Sequence, residues 1–436
     1  MAYREFDDMQ LSRRSLFRAG GMLAASGMLA TMPMGRSLLA HDVGESWPNV
    51  ARMAKSYLDS GKVANVLVTL GWRQEDHAHT VGGGKLGFSN DTPVDENSLY
   101  RIYSMTKPIT GMATMMCIED GHFTLDTPLA EIMPQFANMR VLKDPEGALD
   151  DTVPTEREIT IRHLLTHTSG IGYLITSKGP LLEAYGKNGL VGGRVSRLPI
   201  PGFPPVEPAP GLEEWANRLA TLPLMAQPGE KWIYSASIDL LGRVIEVASG
   251  MSFEEFLQTR IFDPCGMSST FFTVPRSEVG RLTDNYGIAG GFPIPIDPGA
   301  NSIYLDAPKV PSGGGGLVSS AKDFDRFQRM LLGYGTLDGT QVMERESVRV
   351  GVSNILPDTV DLTGSWVAGQ GFGAGGRSVG NTFGWGGAAG TIASVDFDRK
   401  LRAALYTQYM PTEAYPMRSE FLAAYEQDLS GMSSAS

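Results

Sequence analysis

The chain has 436 residues, of which 42% are hydrophobic and 19% are charged, a composition typical of a globular protein with a large buried core. Its net charge of -11 disfavours binding to nucleic acid or to an anionic membrane surface. Cys117 and Cys265 are too few for a disulfide framework, so we expect two buried thiols.

The first 40 residues have the layout of an export signal. Arg13 and Arg14 lie in the run Ser-Arg-Arg-Ser-Leu-Phe, and a mildly apolar stretch follows at 19–34. This order is typical of twin-arginine export signals. We therefore predict a signal segment at 1–40 and a periplasmic or secreted protein that keeps no stable membrane anchor once the signal is removed. The folded domain is predicted over 45–430.

Hydrophobic periodicity and turn residues divide the rest of the chain into elements. The segment 172–211 is rich in Gly and Pro and is predicted to be a functional loop or lid. In chain order the other predicted elements are a helix at 48–62, a hairpin of 63–70 and 72–81 across Gly71, a strand at 99–103, a helix at 104–120, a surface loop at 143–158, helices at 161–165, 213–222, 238–249 and 253–262, a glycine turn at 313–316 opening onto a helix at 321–332, strands at 382–385, 390–397 and 401–408, and a helix at 418–429.

The order of these elements predicts the fold class. Strands lie at both ends of the chain and helices fill the middle. This order indicates an α/β (α+β) fold, with an antiparallel sheet built from both ends of the chain beside an inserted helical lobe.

Two motifs that suggest other chemistry can be set aside. Residues 376–380 match the G-x-S-x-G nucleophile elbow, but that motif needs a later histidine as base and the last histidine is His167. His77 and His79 could form a metal pair, yet no cysteine or further histidine follows them at ligand spacing. We therefore predict neither a metal nor a cofactor.

The Ser-x-x-Lys pattern occurs twice, at Ser104–Lys107 and at Ser319–Lys322, and about one match is expected by chance. Context favours the first. Ser104 opens an apolar helix, so Lys107 shares its face and the N–H groups of the helix start favour developing negative charge. A serine needs a base to become nucleophilic, and a buried lysine can supply one. Tyr234, just before a predicted helix, is the best candidate for a second proton carrier.

Taken together, these residues resemble the class C β-lactamase-like family of serine hydrolases. The three motifs that carry the resemblance are Ser104-Met105-Thr106-Lys107, Tyr234-Ser235-Ala236 and Trp385-Gly386-Gly387. Supporting segments at 161–170, 228–229 and 313–317 stand in the matching order. The resemblance implies a β-lactamase/transpeptidase-like fold, with an antiparallel sheet of five or more strands, an all-helical lobe, and the site between them.

The resemblance also implies roles. Ser104 would attack a carbonyl carbon and form an acyl-enzyme, while Lys107 and Tyr234 would move its proton; either of the two could be the acylation base. The backbone N–H groups of Ser104 and Ala388 would form the oxyanion hole, and Trp385, Gly386 and Gly387 would line the substrate site.

Two departures from the family pattern bear on the substrate. Ala236 stands where β-lactamases and D-Ala peptidases usually have Asn, and Trp385 stands where they usually have a carboxylate-binding Lys. One lost charge-assisted contact is worth about 1.5–3 kcal/mol, which disfavours anionic substrates. The chain is therefore most similar to the family VIII carboxylesterases, although Arg377 could restore a cation.

We predict a serine hydrolase that cleaves small or medium carboxylic esters. Acyl transfer by the same fold, and β-lactamase or D-amino-acid peptidase activity, are the alternatives. A non-catalytic ligand-binding protein is least favoured because Ser104, Lys107 and Tyr234 are all present. The natural acyl group, the alcohol and the oligomeric state stay open.

Overall fold

The structure is a computed structural model that describes residues 46–74, 77–198 and 206–434, so the predicted export signal lies outside the described residues. The helices are α1 (Pro48–Asp59), α2 (Thr106–Glu119), α3 (Leu129–Ile132), α4 (Ile161–Leu165), α5 (Gly179–Lys187), α6 (Leu212–Leu219), α7 (Ser237–Ser249), α8 (Phe253–Leu257), α9 (Asp263–Cys265), α10 (Ala321–Leu332), α11 (Arg345–Val352) and α12 (Met417–Ser434).

The strands are mostly short. They are β1 (Asn65–Trp72), β2 (His79–Gly87), β3 (Asn90–Pro93), β4 (Leu99–Arg101), β5 (Arg140–Leu142), β6 (Thr152–Pro154), β7 (Thr270–Phe271), β8 (Asn285–Ala289), β9 (Phe292–Asp297), β10 (Val318–Ser320), β11 (Thr336–Leu337), β12 (Thr340–Gln341), β13 (Gly371–Phe372), β14 (Arg377–Val379), β15 (Thr382–Gly386), β16 (Ile392–Asp396), β17 (Leu401–Tyr406) and β18 (Tyr409–Met410).

The largest sheet joins the two ends of the described chain. It has eight strands in the order β13-β14-β15-β16-β17-β1-β2-β3. β1 pairs antiparallel with β17, with Leu67 opposite Tyr406. Every residue of β17 is buried, because helices cover both faces of the sheet there. The prediction of an antiparallel sheet built from both ends of the chain is confirmed.

The outer face of the sheet is covered by α1 and α12. α1 buries Val50, Met53, Ala54 and Tyr57, a helical spacing that forms one apolar stripe. Asp428 of α12 accepts hydrogen bonds from the backbone N–H groups of Asn49 and Val50, at 3.0–3.1 Å and 3.0 Å, and so satisfies donors at the start of α1. The two helices thus form one layer although they come from opposite ends of the chain.

The inner face is covered by α10 and leads into the helical lobe. Arg402 of β17 donates from Nε to Asp325 of α10 at 2.5 Å in a buried ion pair. α2 lies in the centre and packs against α7 and α11. Its residues from Thr106 to Cys117 are all buried, as expected for a helix that is surrounded on every side.

The structure differs from the predicted elements at several places. β1 continues through Gly71, where the hairpin turn was predicted, because the glycine leaves room for the Arg402 guanidinium; a Cβ on Gly71 would lie 2.4 Å from it. β10 intervenes between the glycine turn and α10. The predicted loop at 143–158 contains β6, which pairs with β5, and the predicted lid contains α5.

Both cysteines are free and buried, as predicted, and burial raises the pKa of each thiol to about 12. Within the described part of the chain, the helices are too short or too polar to cross a membrane.

Candidate active site

Ser104 lies in a 3-10 turn, Tyr103–Met105, between β4 and α2. The helix therefore starts two residues later than predicted, at Thr106. A 3-10 turn has three residues per turn, so side chains three positions apart lie in line. Tyr103 has a φ of 42°, a left-handed conformation that is uncommon for a residue other than glycine and is often found at functional sites. The turn leaves the Ser104 side chain partly exposed.

Lys107 reaches Ser104 from inside the protein. Its side chain is fully buried, and Nζ donates to Ser104 Oγ at 3.2 Å and to the carbonyl oxygen of Gly314 at 2.5 Å. Nζ also lies 4.6 Å from the centroid of the Tyr234 ring. Lys107 Nζ is thus held by a backbone carbonyl and an aromatic face, with the serine hydroxyl as its third neighbour.

Tyr234 completes the group. Its hydroxyl donates to Ser104 Oγ at 2.8 Å, while Trp385 Nε1 approaches the same hydroxyl at 3.4 Å. The structure therefore brings Ser104, Lys107 and Tyr234 together, although 130 residues separate Tyr234 from Ser104. Trp385, predicted to line the pocket, also contacts the tyrosine that is predicted to carry a proton.

Aromatic side chains form one wall of the site. The Tyr234 ring lies 4.7 Å from Trp366 and 5.9 Å from Trp385, centroid to centroid, and Phe372 packs edge-on against Trp385 at 5.3 Å. Trp366 is only half-buried, so this wall has an apolar face toward solvent. Trp366 and Phe372 could not be predicted from the sequence, since a single aromatic residue outside a motif carries no positional signal.

His167 supports the tyrosine segment without contacting Ser104. It has a φ of 57° and is fully buried, and its Nδ1 accepts the Ser235 backbone N–H at 3.2 Å. Its ring lies 4.8 Å from that of Tyr234. Burial, and then the Lys107 charge, hold the pKa of His167 well below its usual value, so the imidazole is neutral. It positions Tyr234 rather than acting as the base.

Asp239 fixes the turn that holds Lys107. This buried carboxylate in the first turn of α7 accepts from the Gly314 N–H at 3.0 Å and from Ser312 Oγ at 2.5 Å. A Cβ on Gly314 would lie 2.5 Å from Asp239 Oδ2, so the turn requires glycine there. Burial raises the pKa of Asp239, and the Lys107 charge opposes that shift. The one signal in the sequence was a carboxylate among the apolar residues of a predicted helix.

The third predicted motif passes beside the nucleophile turn. A Cβ on Gly387 would lie 2.1 Å from the carbonyl oxygen of Ile102, two residues before Ser104. A Cβ on Gly386 would lie 3.1 Å from the Arg418 guanidinium. The two glycines therefore let this strand approach closely on both sides. Ala388, the predicted oxyanion donor, follows them and is exposed.

The competing motifs lie elsewhere. Ser319 is buried in β10, with its hydroxyl 2.8 Å from that of Thr270, and Lys322 is exposed. Ser378 lies buried in β14, on a strand rather than at a strand-to-helix turn. His77 and His79 are exposed, and the described residues hold no group of three or more potential ligands suited to a metal ion.

His163 gives a testable pH dependence of stability. It is the third residue of α4, where its Nδ1 accepts the Thr160 N–H at 3.1 Å in a capping box. Burial first, then the charges of Arg157 and Arg162, lower the pKa of His163 from 6.5 to about 4. Between these values the unfolded chain binds a proton that the folded chain does not, so stability falls as the pH falls.

We expect the wild type to lose about 3 kcal/mol more than His163→Gln between pH 7 and pH 4, because glutamine can cap the helix and does not titrate. Urea unfolding of both proteins across this range measures the difference. Parallel stability curves would show that His163 does not titrate differently on folding.

A sequence profile of the Beta-lactamase family matches residues 50–427. The chain belongs to the Beta-lactamase family. The resemblance inferred from the motifs is thereby confirmed.

Three similar proteins illustrate the relationship. An uncharacterized protein of Mycobacterium tuberculosis (strain CDC 1551 / Oshkosh) is 32% identical, with the alignment covering 81% of this chain and 88% of the relative. The lovastatin esterase of Penicillium rubens is 31% identical, covering 63% of this chain and 66% of the esterase.

The solved structure of EstCE1, described as a hydrolase with promiscuous acyltransferase activity, has a TM-score of 0.70 at 23% identity and covers 88% of this chain and 99% of EstCE1. At this identity the match shows a shared fold, and the predicted β-lactamase/transpeptidase-like fold is confirmed.

Proposed function

We propose that this protein is a carboxylesterase-type serine hydrolase that cleaves small or medium carboxylic esters through an acyl-enzyme on Ser104. The observation that carries the proposal is the position of Ser104 Oγ, 3.2 Å from Lys107 Nζ and 2.8 Å from the Tyr234 hydroxyl. A serine between two proton carriers can be activated and can then return a proton to a leaving group. The name of the lovastatin esterase, a relative over 63% of the chain, also supports ester cleavage.

The proposed reaction combines these contacts with the oxyanion hole that the family resemblance implies. The pair Lys107–Tyr234 takes the Ser104 proton as Oγ attacks the ester carbonyl carbon, and the N–H groups of Ser104 and Ala388 bind the negative oxygen that forms. The alcohol leaves with the proton from the pair. A water molecule then gives a proton to the pair as it attacks the acyl carbon. The bond from the acyl carbon to Oγ breaks, the pair returns the proton to Ser104 Oγ, and the acid leaves.

The pocket wall supports neutral substrates. Trp366 is half-buried and offers an apolar face, and the buried Trp385 ring also lies beside Tyr234. Each Å² of apolar surface removed from water contributes about 25 cal/mol. Arg377, the cation that could restore the missing charge, is held against this wall: it donates from Nη2 to the Trp366 carbonyl oxygen at 3.1 Å, and its guanidinium carbon lies 5.5 Å from the centroid of the Trp385 ring.

We expect kcat/KM for p-nitrophenyl butyrate to exceed that for nitrocefin by about tenfold to a hundredfold, because nitrocefin carries a carboxylate for which the wall supplies no lysine ammonium group. Steady-state kinetics with both substrates at one pH measures the ratio. Equal efficiencies would contradict the esterase assignment and favour a β-lactamase.

Acyl transfer is the second function that this site supports, because the acyl-enzyme is common to both reactions and only the acceptor differs. The description of EstCE1 as a hydrolase with promiscuous acyltransferase activity is consistent with both. Product analysis of the same p-nitrophenyl butyrate reaction with added butanol separates them. Butyrate as the main product supports hydrolysis, whereas butyl butyrate as the main product supports acyl transfer.

A further inference from the structure

An arginine of the C-terminal helix α12 hydrogen-bonds to the peptide group that carries the predicted oxyanion donor, the N–H of Ala388. Arg418, the second residue of α12, is 9% exposed. Its Nη2 donates to the carbonyl oxygen of Gly387 and, at 2.8 Å, to that of Thr391. The guanidinium thus ties both ends of the turn between β15 and β16 to the helix behind it.

The contact to the Gly387 carbonyl fixes the orientation of one peptide group. The carbonyl of Gly387 and the N–H of Ala388 belong to the same peptide group. In a trans peptide these two bonds point in opposite directions. With the oxygen fixed on Arg418 of α12, the N–H of Ala388 is directed away from that guanidinium. Gly387 itself packs on Ile102, at the start of the nucleophile turn.

The charge of Arg418 adds to this orientation. Burial lowers the pKa of Arg418 to about 10, and the nearby Tyr409, Glu413 and Tyr234 oppose the shift, so the guanidinium keeps its charge at neutral pH. A cation hydrogen-bonded to a carbonyl oxygen polarises the whole amide, which strengthens its N–H as a donor. A donor fixed before the reaction stabilises an oxyanion without reorganising.

We infer that Arg418 is a positioning residue of the oxyanion hole: through the Gly387 carbonyl it orients and polarises the Ala388 N–H toward the transition state. The inference rests on the proposed function, in which that N–H binds the oxyanion. Arg418 lies behind the strand and does not touch the substrate. Its effect should therefore appear in the transition state and not in ground-state binding.

The test compares Arg418→Met, Arg418→Lys and a matched control. Thr412→Val removes the hydrogen bond from Thr412 Oγ1 to the carbonyl oxygen of Ala388, at 2.8 Å, which belongs to the next peptide along. We expect Arg418→Met to lower kcat for p-nitrophenyl butyrate about tenfold to a hundredfold with KM changed less than about twofold. Arg418→Lys should recover part of kcat, and Thr412→Val should lose less than about threefold.

Affinity for an alkyl boronic acid, which mimics the tetrahedral intermediate, should fall in Arg418→Met by the same factor as kcat/KM, while affinity for butyrate stays constant. A loss of activity with unchanged boronic acid affinity, or a wild-type kcat in Arg418→Met, would overturn the inference. If circular dichroism shows that Arg418→Met does not fold, Arg418→Lys is measured instead. Wild-type values of both kcat and boronic acid affinity in Arg418→Lys would overturn the inference, whereas parallel losses of the two would support it.

The rate at which a fluorophosphonate labels Ser104 keeps this test independent of the substrate. Phosphonylation also places a negative oxygen in the oxyanion hole, so Arg418→Met should label more slowly than the wild type even if no ester proves to be a good substrate. If Arg418→Met is labelled more slowly than the wild type and the wild type hydrolyses no ester, the proposed function is wrong and the inference stands. If the two proteins are labelled equally fast and the wild type hydrolyses esters, the inference is wrong and the proposed function stands.

Discussion

Ser104→Ala is expected to abolish ester hydrolysis, with kcat/KM for p-nitrophenyl butyrate reduced by at least about four orders of magnitude. The substitution removes Ser104 Oγ, the oxygen that lies within hydrogen-bonding distance of both Lys107 Nζ and the Tyr234 hydroxyl. Because the Ser104 side chain is partly exposed, its loss leaves no buried cavity and the fold should remain intact. Kinetics, together with intact mass after a fluorophosphonate probe, measures both the activity and the missing covalent adduct.

The matched controls are the serines of the two competing motifs. Ser319 lies in β10, and its hydroxyl is hydrogen-bonded to that of Thr270 in β7. Ser319→Ala should therefore lower stability slightly and leave kcat/KM within about twofold of the wild type. Ser378→Ala, on β14, should likewise stay active. If Ser378→Ala were the inactive variant and Ser104→Ala the active one, the assignment of the site would be wrong.

Lys107→Met is the second large effect. We expect kcat/KM to fall about a thousandfold, because the variant keeps an unbranched side chain of similar length and loses the amino group that contacts Ser104 Oγ. It also leaves the Gly314 carbonyl without its lysine partner, which should lower stability by about 1–3 kcal/mol. The measurements are p-nitrophenyl butyrate kinetics and urea unfolding of the same preparations.

Lys322→Met is the control for this substitution. It removes the lysine of the second Ser-x-x-Lys pattern, which is exposed, so both activity and stability should stay near the wild type. Full activity in Lys107→Met would mean that Tyr234 alone serves as the base. Tyr234→Phe would then have to be the inactive variant.

Much of the catalytic group could be predicted because it depends on spacing along the chain. Ser104 and Lys107 are three residues apart at the start of an apolar helix, and that spacing places both on one face whether the turn is α or 3-10. α4 and α7 were predicted to within a residue for a similar reason, since their apolar periodicity is a local property. Tyr234, 130 residues from Ser104, was found through a motif and not through geometry.

Other elements had no local signal. β10, β13 and β14 have two or three residues each. β10 in addition pairs with β4 and β7, which lie far away in the chain. A strand of this length buries too little of its own side-chain pattern to show alternation. The hairpin of β8 and β9 was missed as well, because two prolines in β9 argue against a strand in the sequence.

The sequence by itself determined the sheet made from both ends of the chain and placed Ser104 and Lys107 on one face of the chain, because the first follows from the order of the elements and the second from their spacing. Only the tertiary structure decided what surrounds them. The Gly314 carbonyl on Lys107, the Asp239 carboxylate on that turn, the His167 ring on Tyr234 and the Arg418 guanidinium on Gly387 join segments that are far apart in the chain. Such contacts are set by how layers pack, and a polar group buried by packing must find its partner wherever the fold brings one near.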